Sequence, residues 1–246
     1  TAHDGFCLKD LVSYAVKHNQ MNGESNRDGT NGNHSFNHGF EGSGSTPEIA
    51  AQRRKAARNL MATLLFSSGI PMVTAGDERL KTQNGNNNAY CQDTVMSWVN
   101  WELSRHQRDF EETFAHLTKL RRENPVLRPK TFGDFNEANE DHDMIRWFNS
   151  QGDIMGEENW HDSECRTIQR YSERLESDGS RSAILLLIHG AEKVQEVTLP
   201  SQDGVLRYEL LWNSAFDQPN EEIETVLPGA KTLVSGTSIQ VFRCNF

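Results

Sequence analysis

The period of the hydrophobic pattern changes once along the chain, near Pro125 to Pro129, and this change limits the fold more than any other feature. Upstream, Ile49, Arg53, Ala56, Ala57, Leu60, Met61, Leu64 and Leu65 recur at helical intervals, with Arg53, Arg54, Lys55 and Arg58 mostly on the other face. Thr46-Pro47-Glu48 supplies a capping hydroxyl, a proline suited to the first helical position and an acid for the positive end of the helix dipole. Ser67-Ser68-Gly69 ends this helix. Residues 70–75 follow as a short, almost wholly apolar run, which predicts a strand buried on both faces of a parallel sheet. A second helix, predicted over about 108–123, carries Phe110, Phe114, Leu117 and Leu120 on one stripe and stops at Asn124-Pro125. Downstream, residues 144–148, 183–189, 194–199, 205–212, 223–227 and 238–243 are strand-length, rich in β-branched and aromatic side chains, and punctuated by Gly, Pro, Asp and Asn. An α/β part followed by an antiparallel β-sandwich predicts two domains, 1–127 and 128–246. Residues 152–180 are polar and give no clear pattern apart from Trp160.

Composition narrows the class of function. Lys and Arg number 25 against 35 Asp and Glu, a net charge of −10, which repels a phosphate backbone, so no nucleic-acid partner is expected. No stretch approaches the roughly 18–20 consecutive apolar residues of a membrane span, and no basic segment with an apolar core marks a signal peptide, so no membrane partner is expected either. Cys7, Cys91, Cys165 and Cys244 are scattered singly, without zinc spacing or a dense disulfide pattern, which fits a reducing cytoplasm. His34 and His38 have a spacing that suits zinc only on a helix, and the Gly and Asn around them deny one, so no metal is expected. The chain opens on Thr1 without a Met, which reads as a truncation.

The order of short motifs is more specific than any one of them. TAHDGF at the start is followed by LKDLVSY, a long Asn/Gly loop, the helix after Thr46, GIPMVTAGDE, NGNNNAYCQD and SWVNW. In this order the chain resembles the isoamylase-like glycogen debranching enzymes of the α-amylase clan, across residues 1–125 and more loosely beyond, where Trp160-His161-Asp162 and the strand around Ile184 also match. The resemblance implies a (β/α)8 TIM barrel of which this chain holds the last two βα units, with the β-sandwich domain after it. It places His3 and Asp4 at the C-terminal end of the seventh strand and residues 70–75 in the eighth, with the active site at that face of the barrel.

Retaining glycoside hydrolysis needs a nucleophilic carboxylate and an acid/base carboxyl, with hydroxyl contacts that strengthen in an oxocarbenium-like transition state. By resemblance Asp4 is the carboxylate that grips the 2- and 3-hydroxyls, and His3 is a neighbouring hydroxyl ligand. The family's nucleophile Asp and acid/base Glu precede this motif, so the chain alone is expected to be inactive. It is also expected to need either the missing N-terminal part of the barrel or a second copy of itself, because two βα units leave sheet edges bare. The implied substrate is a branched α-glucan, glycogen or limit dextrin, and no cofactor is implied.

Residues 18–46 form a loop with six Asn and six Gly, too long to be an ordinary connection. It either shapes the glucan cleft, with Arg27 as a candidate contact, or is a solvated insertion. Asn86, Asn88 and Tyr90 are further candidate glucan contacts, because amides can both donate to and accept from sugar hydroxyls; Asn-Gly runs are also ordinary turn chemistry. Asp77 and Glu78 read as structural hydrogen-bonding groups, since neighbours on an extended chain point to opposite faces. Trp98 and Trp101 read as packing residues under the following helix, with a sugar-stacking platform as the alternative. Arg79-Leu80 departs from the family, which more often has an aromatic and a glycine there, and so bears on the loop's conformation. Two other functions remain open at this level: an autonomous, non-catalytic glucan-binding module, and a clan relative acting on another α-glucan.

Overall fold

A computed structural model describes residues 4–129, 143–219 and 224–246. Two compact units emerge, the first built from Thr1–Met61 and Ile70–Ala115, the second from Ala62–Gly69 and His116–Phe246. No helix among the described residues is long and apolar enough to cross a membrane.

In the first unit, α1 (Leu8–Leu11) is a single turn whose Leu8 is buried with Phe6, Val12 and Tyr14. The second helix, α2 (Pro47–Phe66), starts at the predicted cap, where Thr46 Oγ1 accepts from the Ile49 amide at 3.4 Å. Its charged face needs correction. Arg53 and Arg58 are only 8% and 4% exposed. Arg53 turns inward to carry backbone carbonyls, donating to Gly42 O at 2.6 Å, to Asn37 O at 2.8 Å and to Phe40 O. A guanidinium so engaged can stand inside a core, because each carbonyl it serves offsets part of its lost hydration. The third helix, α3 (Arg105–Glu123), begins three residues before its expected start at a capping box: the Gln107 amide donates to Ser104 Oγ at 3.4 Å and the Ser104 amide to Gln107 Oε1 at 3.1 Å.

The strand expected over residues 70–75 is absent. No β ladder forms among the described residues of this unit, and Ile70 is 97% exposed. An apolar run becomes a strand only when a neighbour satisfies its amides and carbonyls, and no segment described here lies alongside to do so.

The second unit is all antiparallel in its sheets. Strands β1 (Met144–Phe148), β2 (Thr167–Leu175), β3 (Arg181–His189), β4 (Gln195–Thr198), β5 (Arg207–Asn213), β6 (Thr225–Val226), β7 (Lys231–Val234) and β8 (Ser238–Asn245) form a six-stranded sheet in the order β1-β2-β3-β8-β5-β6 and a two-stranded sheet β4-β7. Alternation puts Phe148, Tyr171, Leu185, Leu187, Tyr208, Leu210 and Phe242 of the large sheet into one core with Val197 and Val234 of the small one. The other face of the large sheet is buried as well, at Ile184, Leu186, Trp212 and Val241, and the turn Pro125–Leu127 lies against β2 and β3.

Two strands, β2 and β7, were not legible in the pattern. β2 is the more instructive, because Gln169, Arg170, Ser172 and Glu173 are buried in its centre. Three of these side chains have partners: Gln169 Nε2 donates to Asn149 O at 2.8 Å and Thr198 O at 2.9 Å, Arg170 to Phe66 O at 3.0 Å, and Glu173 pairs with Arg181 at 2.8 Å. A short helix, α4 (Glu157–His161), lies between β1 and β2 in the chain.

Candidate functional site

Two buried carboxylates organise the loops of the first unit. Asp77 Oδ1 accepts from the Leu8 amide at 2.8 Å and so holds the start of α1. Asp10, fully buried on α1, accepts from the amides of Gln83 at 2.8 Å and Gly85 at 3.1 Å and from the Thr82 hydroxyl. Burial pushes the Asp10 pKa up, against the pull of these three donors. Burial likewise pushes the neighbouring Cys7 thiol far up, with Asp10 adding to the effect, while Cys7 donates to Lys81 O at 3.1 Å. Glu78 accepts from the Gly76 amide at 2.8 Å, so both acids after residue 75 serve as structural hydrogen-bonding groups, as expected. Leu80 is buried with φ 52° and ψ 47°, a left-handed conformation that costs a non-glycine residue roughly 1–2 kcal/mol.

Around this anchor the residues after His18 and those before Tyr90 interlock through amides. Asn87 is buried; its Nδ2 donates to Thr30 O at 2.8 Å and Asn33 Oδ1 at 2.7 Å, and its Oδ1 accepts from Asn19 Nδ2 at 2.9 Å. The Asn87 amide returns a bond to Asn19 Oδ1 at 3.0 Å. One oxygen of Asp28 accepts from Asn22 Nδ2 at 2.7 Å and Asn88 Nδ2 at 3.1 Å, and the Asn22 bond leads in holding the Asp28 pKa down. Lys17 Nζ closes the turn by donating to Asp28 O at 2.7 Å and Gly29 O at 3.1 Å. Gly29 has to be glycine here: its φ is +71°, and a Cβ would meet Asn87 Oδ1 at 2.3 Å.

The rest of the long loop is tied back by Glu41. It accepts from the Ala15 amide at 2.8 Å, from Asn37 Nδ2 at 2.8 Å and from the His18 ring at 2.9 Å. Burial alone would raise its pKa; the donors, led by the Ala15 amide, outweigh that and bring it to about 2.

The predicted site residues divide into three groups. His3 lies outside the described residues. Asp4 is exposed, and the next residue ties it to the knot, since the Gly5 amide donates to Asn87 O at 3.0 Å. Asn86 is fully buried, its Nδ2 on Asn22 Oδ1 at 2.8 Å and its Oδ1 accepting from the Asn88 amide at 2.9 Å. Both ends of the Asn86 amide are thus engaged inside the loop pair. Asn88 also braces Asp28. Tyr90 is 72% exposed and Arg27 projects outward with its Nε on Glu24 O at 3.1 Å, so these two remain surface groups. Trp98 and Trp101 are exposed, which corrects the packing expectation: Trp98 Nε1 donates to Asp93 at 2.9 Å, and the Arg79 guanidinium lies 4.6 Å from the centre of the Trp101 ring. Asn19, Asn22, Asp28 and Asn87 were missed as site-building residues. The Asn-rich composition of both loops was the available signal. What chemistry the loops can offer is a rigid, amide-rich floor beside an exposed carboxylate and an exposed tyrosine.

This architecture is shared with the pullulanases. The chain superposes on the pullulanase of Bacillus acidopullulyticus with a TM-score of 0.64 at 18% identity, covering 99% of this chain and 23% of that one. It superposes on the pullulanase of Anoxybacillus sp. LM18-11 complexed with maltotetraose with a TM-score of 0.54 at 20% identity, covering 81% and 24%. These likenesses define the fold alone, one shared with part of the pullulanase chains. No protein-family model matches the chain. Direct sequence similarity is closer: 44% identity over 169 residues with the glycogen debranching enzyme of Escherichia fergusonii, covering 68% of this chain and 25% of that protein, and 36% over 228 residues with that of Serratia proteamaculans, covering 93% and 31%. The chain is homologous to the C-terminal portion of the glycogen debranching enzymes of the α-amylase clan. It spans about a quarter to a third of the length of the curated relatives it matches.

Proposed function

We propose that this chain is the C-terminal part of a glycogen debranching enzyme, a retaining glycoside hydrolase that cleaves the α-1,6 branch linkages of glycogen or limit dextrin in the cytoplasm. In this reading residues 1–127 complete the catalytic TIM barrel as its last two βα units, and residues 128–246 are the β-sandwich domain. Asp4 grips the 2- and 3-hydroxyls of the sugar at the scissile bond, in the transition state above all, and His3 assists. Nucleophile and acid/base carboxyls come from the part of the enzyme outside these 246 residues, so the chain alone has no hydrolase activity. Asn88 and Asn86 brace the loop that presents Tyr90 and Arg27 to the glucan.

One observation carries this reading: residues resembling the family's AHD motif end in a carboxylate, Asp4, that adjoins the Asn87 knot through the Gly5 amide at 3.0 Å, in a chain 44% identical to a debranching enzyme over 169 residues. The test is Asp4→Asn in the complete enzyme. Turnover of a branched α-glucan should fall by two or more orders of magnitude, about the loss expected when a transition-state contact to charge is removed, with the thermal unfolding midpoint unchanged. Undiminished turnover would overturn the assignment.

A further inference from the structure

The segment whose sequence pattern was hardest to interpret builds a cleft on the second unit. Gly152, at φ +81°, turns the chain so that the Asn149 amide donates to Asp153 O at 2.9 Å and the Met155 amide to Trp147 O at 2.9 Å. Ile154 and Met155 thereby line up beside the outer edge of β1, the edge strand of the large sheet. Gly156 then opens α4, with its amide donating to Asn159 Oδ1 at 2.9 Å. That short helix carries Trp160 across Trp147, ring centres 5.6 Å apart and planes at 77°. Arg146, Trp147, Ile154, Met155 and Trp160 line a cleft of about 290 Å³.

Three properties define what this cleft can take. Trp160 is 52% exposed although its amide donates to Gly156 O at 3.3 Å and the Asn159 side chain caps the Gly156 amide at the start of the helix. Neither indole N–H, of Trp147 or of Trp160, has a hydrogen-bond partner among the described residues, so both rings that line the cleft keep a donor to offer. A planar cation completes the wall, with Arg146 Nη1 held on Gln202 Oε1 at 3.1 Å. The complementary ligand has a flat apolar face and a ring of hydroxyl acceptors, which is the surface of a pyranose. At the small end of the usual range for ligand clefts, about 300–1,000 Å³, the cleft would hold roughly one or two sugar rings and leave the rest of a chain in solvent.

We infer that the Trp147–Trp160 cleft is a second, non-catalytic binding site for the linear α-1,4 chains of the glucan, which tethers the polymer to the β-sandwich. The choice of an α-glucan rests on the debranching reading above; the cleft's capacity to hold a pyranose rests on its geometry. A tether of this kind raises the effective concentration of a polymeric substrate while leaving short substrates unaffected.

The experiment titrates the 246-residue chain with maltoheptaose, followed by indole fluorescence and calorimetry, in wild type, Trp160→Ala, Trp160→Phe and Tyr90→Ala, with a proline-rich peptide as competitor. Trp160→Ala should weaken binding about tenfold or more, Trp160→Phe should restore most of it, and the Trp160→Ala loss should persist in a Tyr90→Ala background. In the complete enzyme Trp160→Ala should raise KM for glycogen and leave kcat/KM for a short branched oligosaccharide unchanged. Wild-type affinity in Trp160→Ala, or preference for the peptide, overturns the inference. Debranching activity intact with no effect of Trp160 on glycogen KM defeats the tether alone, whereas an enzyme with neither debranching activity nor maltoheptaose affinity defeats the debranching reading on which it rests.

Discussion

Asn87→Ala is the sharpest probe of how the candidate site is held. The side chain is buried and makes three hydrogen bonds, at 2.7, 2.8 and 2.9 Å, to Asn33 Oδ1, Thr30 O and Asn19 Nδ2. Its orientation is anchored by backbone, since only the amide nitrogen can face the Thr30 carbonyl. Truncation removes all three and strands at least two partners, because Asn19 Nδ2 keeps its bond to Asp28 O at 3.0 Å while Thr30 O and Asn33 Oδ1 lose theirs. At about 1 kcal/mol per bond, with a further desolvation cost for stranded groups, the loss is about 2–4 kcal/mol. It falls on local opening of residues 18–33 more than on the global fold, since loops open below the global free energy. Hydrogen exchange of peptides covering that segment should therefore accelerate about 30- to 700-fold. Asn87→Asp adds a sign test: its carboxylate would face two acceptors, so at neutral pH it should be at least as disruptive as alanine, and protonation in acid should restore part of the protection. Exchange within threefold of wild type in Asn87→Ala, or a milder effect from Asp than from Ala, would refute the reasoning.

Two further outcomes follow from the structure. The Glu41 carboxyl is depressed from 4.5 to about 2 in the folded chain, so its contribution is fully present above about pH 4.5 and is lost as pH falls toward 2; the difference in melting temperature between wild type and Glu41→Gln should be constant above pH 5 and shrink through that window. Arg121, buried near the end of α2, donates to Ser67 O at 3.1 Å, Leu127 O at 3.0 Å, Gly69 O at 2.6 Å and Leu65 O; Arg121→Met should cost about 3–5 kcal/mol in urea unfolding, and Arg121→Lys should fail to rescue it because one ammonium cannot serve four carbonyls.

The readings that failed on the sequence share one physical cause, dependence on a distant partner. Strands such as β3, with Leu185 and Leu187 facing the core, announce themselves because burial needs only an apolar side chain. β2 does not, because Gln169 is acceptable in the interior only by reaching Asn149 O and Thr198 O, and Glu173 only by meeting Arg181, and hydropathy carries no record of such partners. Arg53 falls in both the repeating stripe and the charged set for the same reason, and only Gly42 O and Asn37 O decide that it is a core residue. Residues 70–75 err in the opposite direction: their apolar character was legible, yet a strand is a relation between segments, and Ile70 is left 97% exposed where no segment pairs with it. The site repeats the lesson. That Asn86 and Asn88 lie in a stretch rich in hydrogen-bonding amides could be read from residue type. Which residues of that stretch point outward and which brace could not, because that was decided by Asn19, Asn22 and Asp28, well over fifty residues away. In the proposed reading, the recognition surface would be set by amides that are used up inside the loop pair. Changes at Asn87 should therefore disturb binding through loop order, and changes at Tyr90 through contact alone, a difference that hydrogen exchange and affinity measured together will separate.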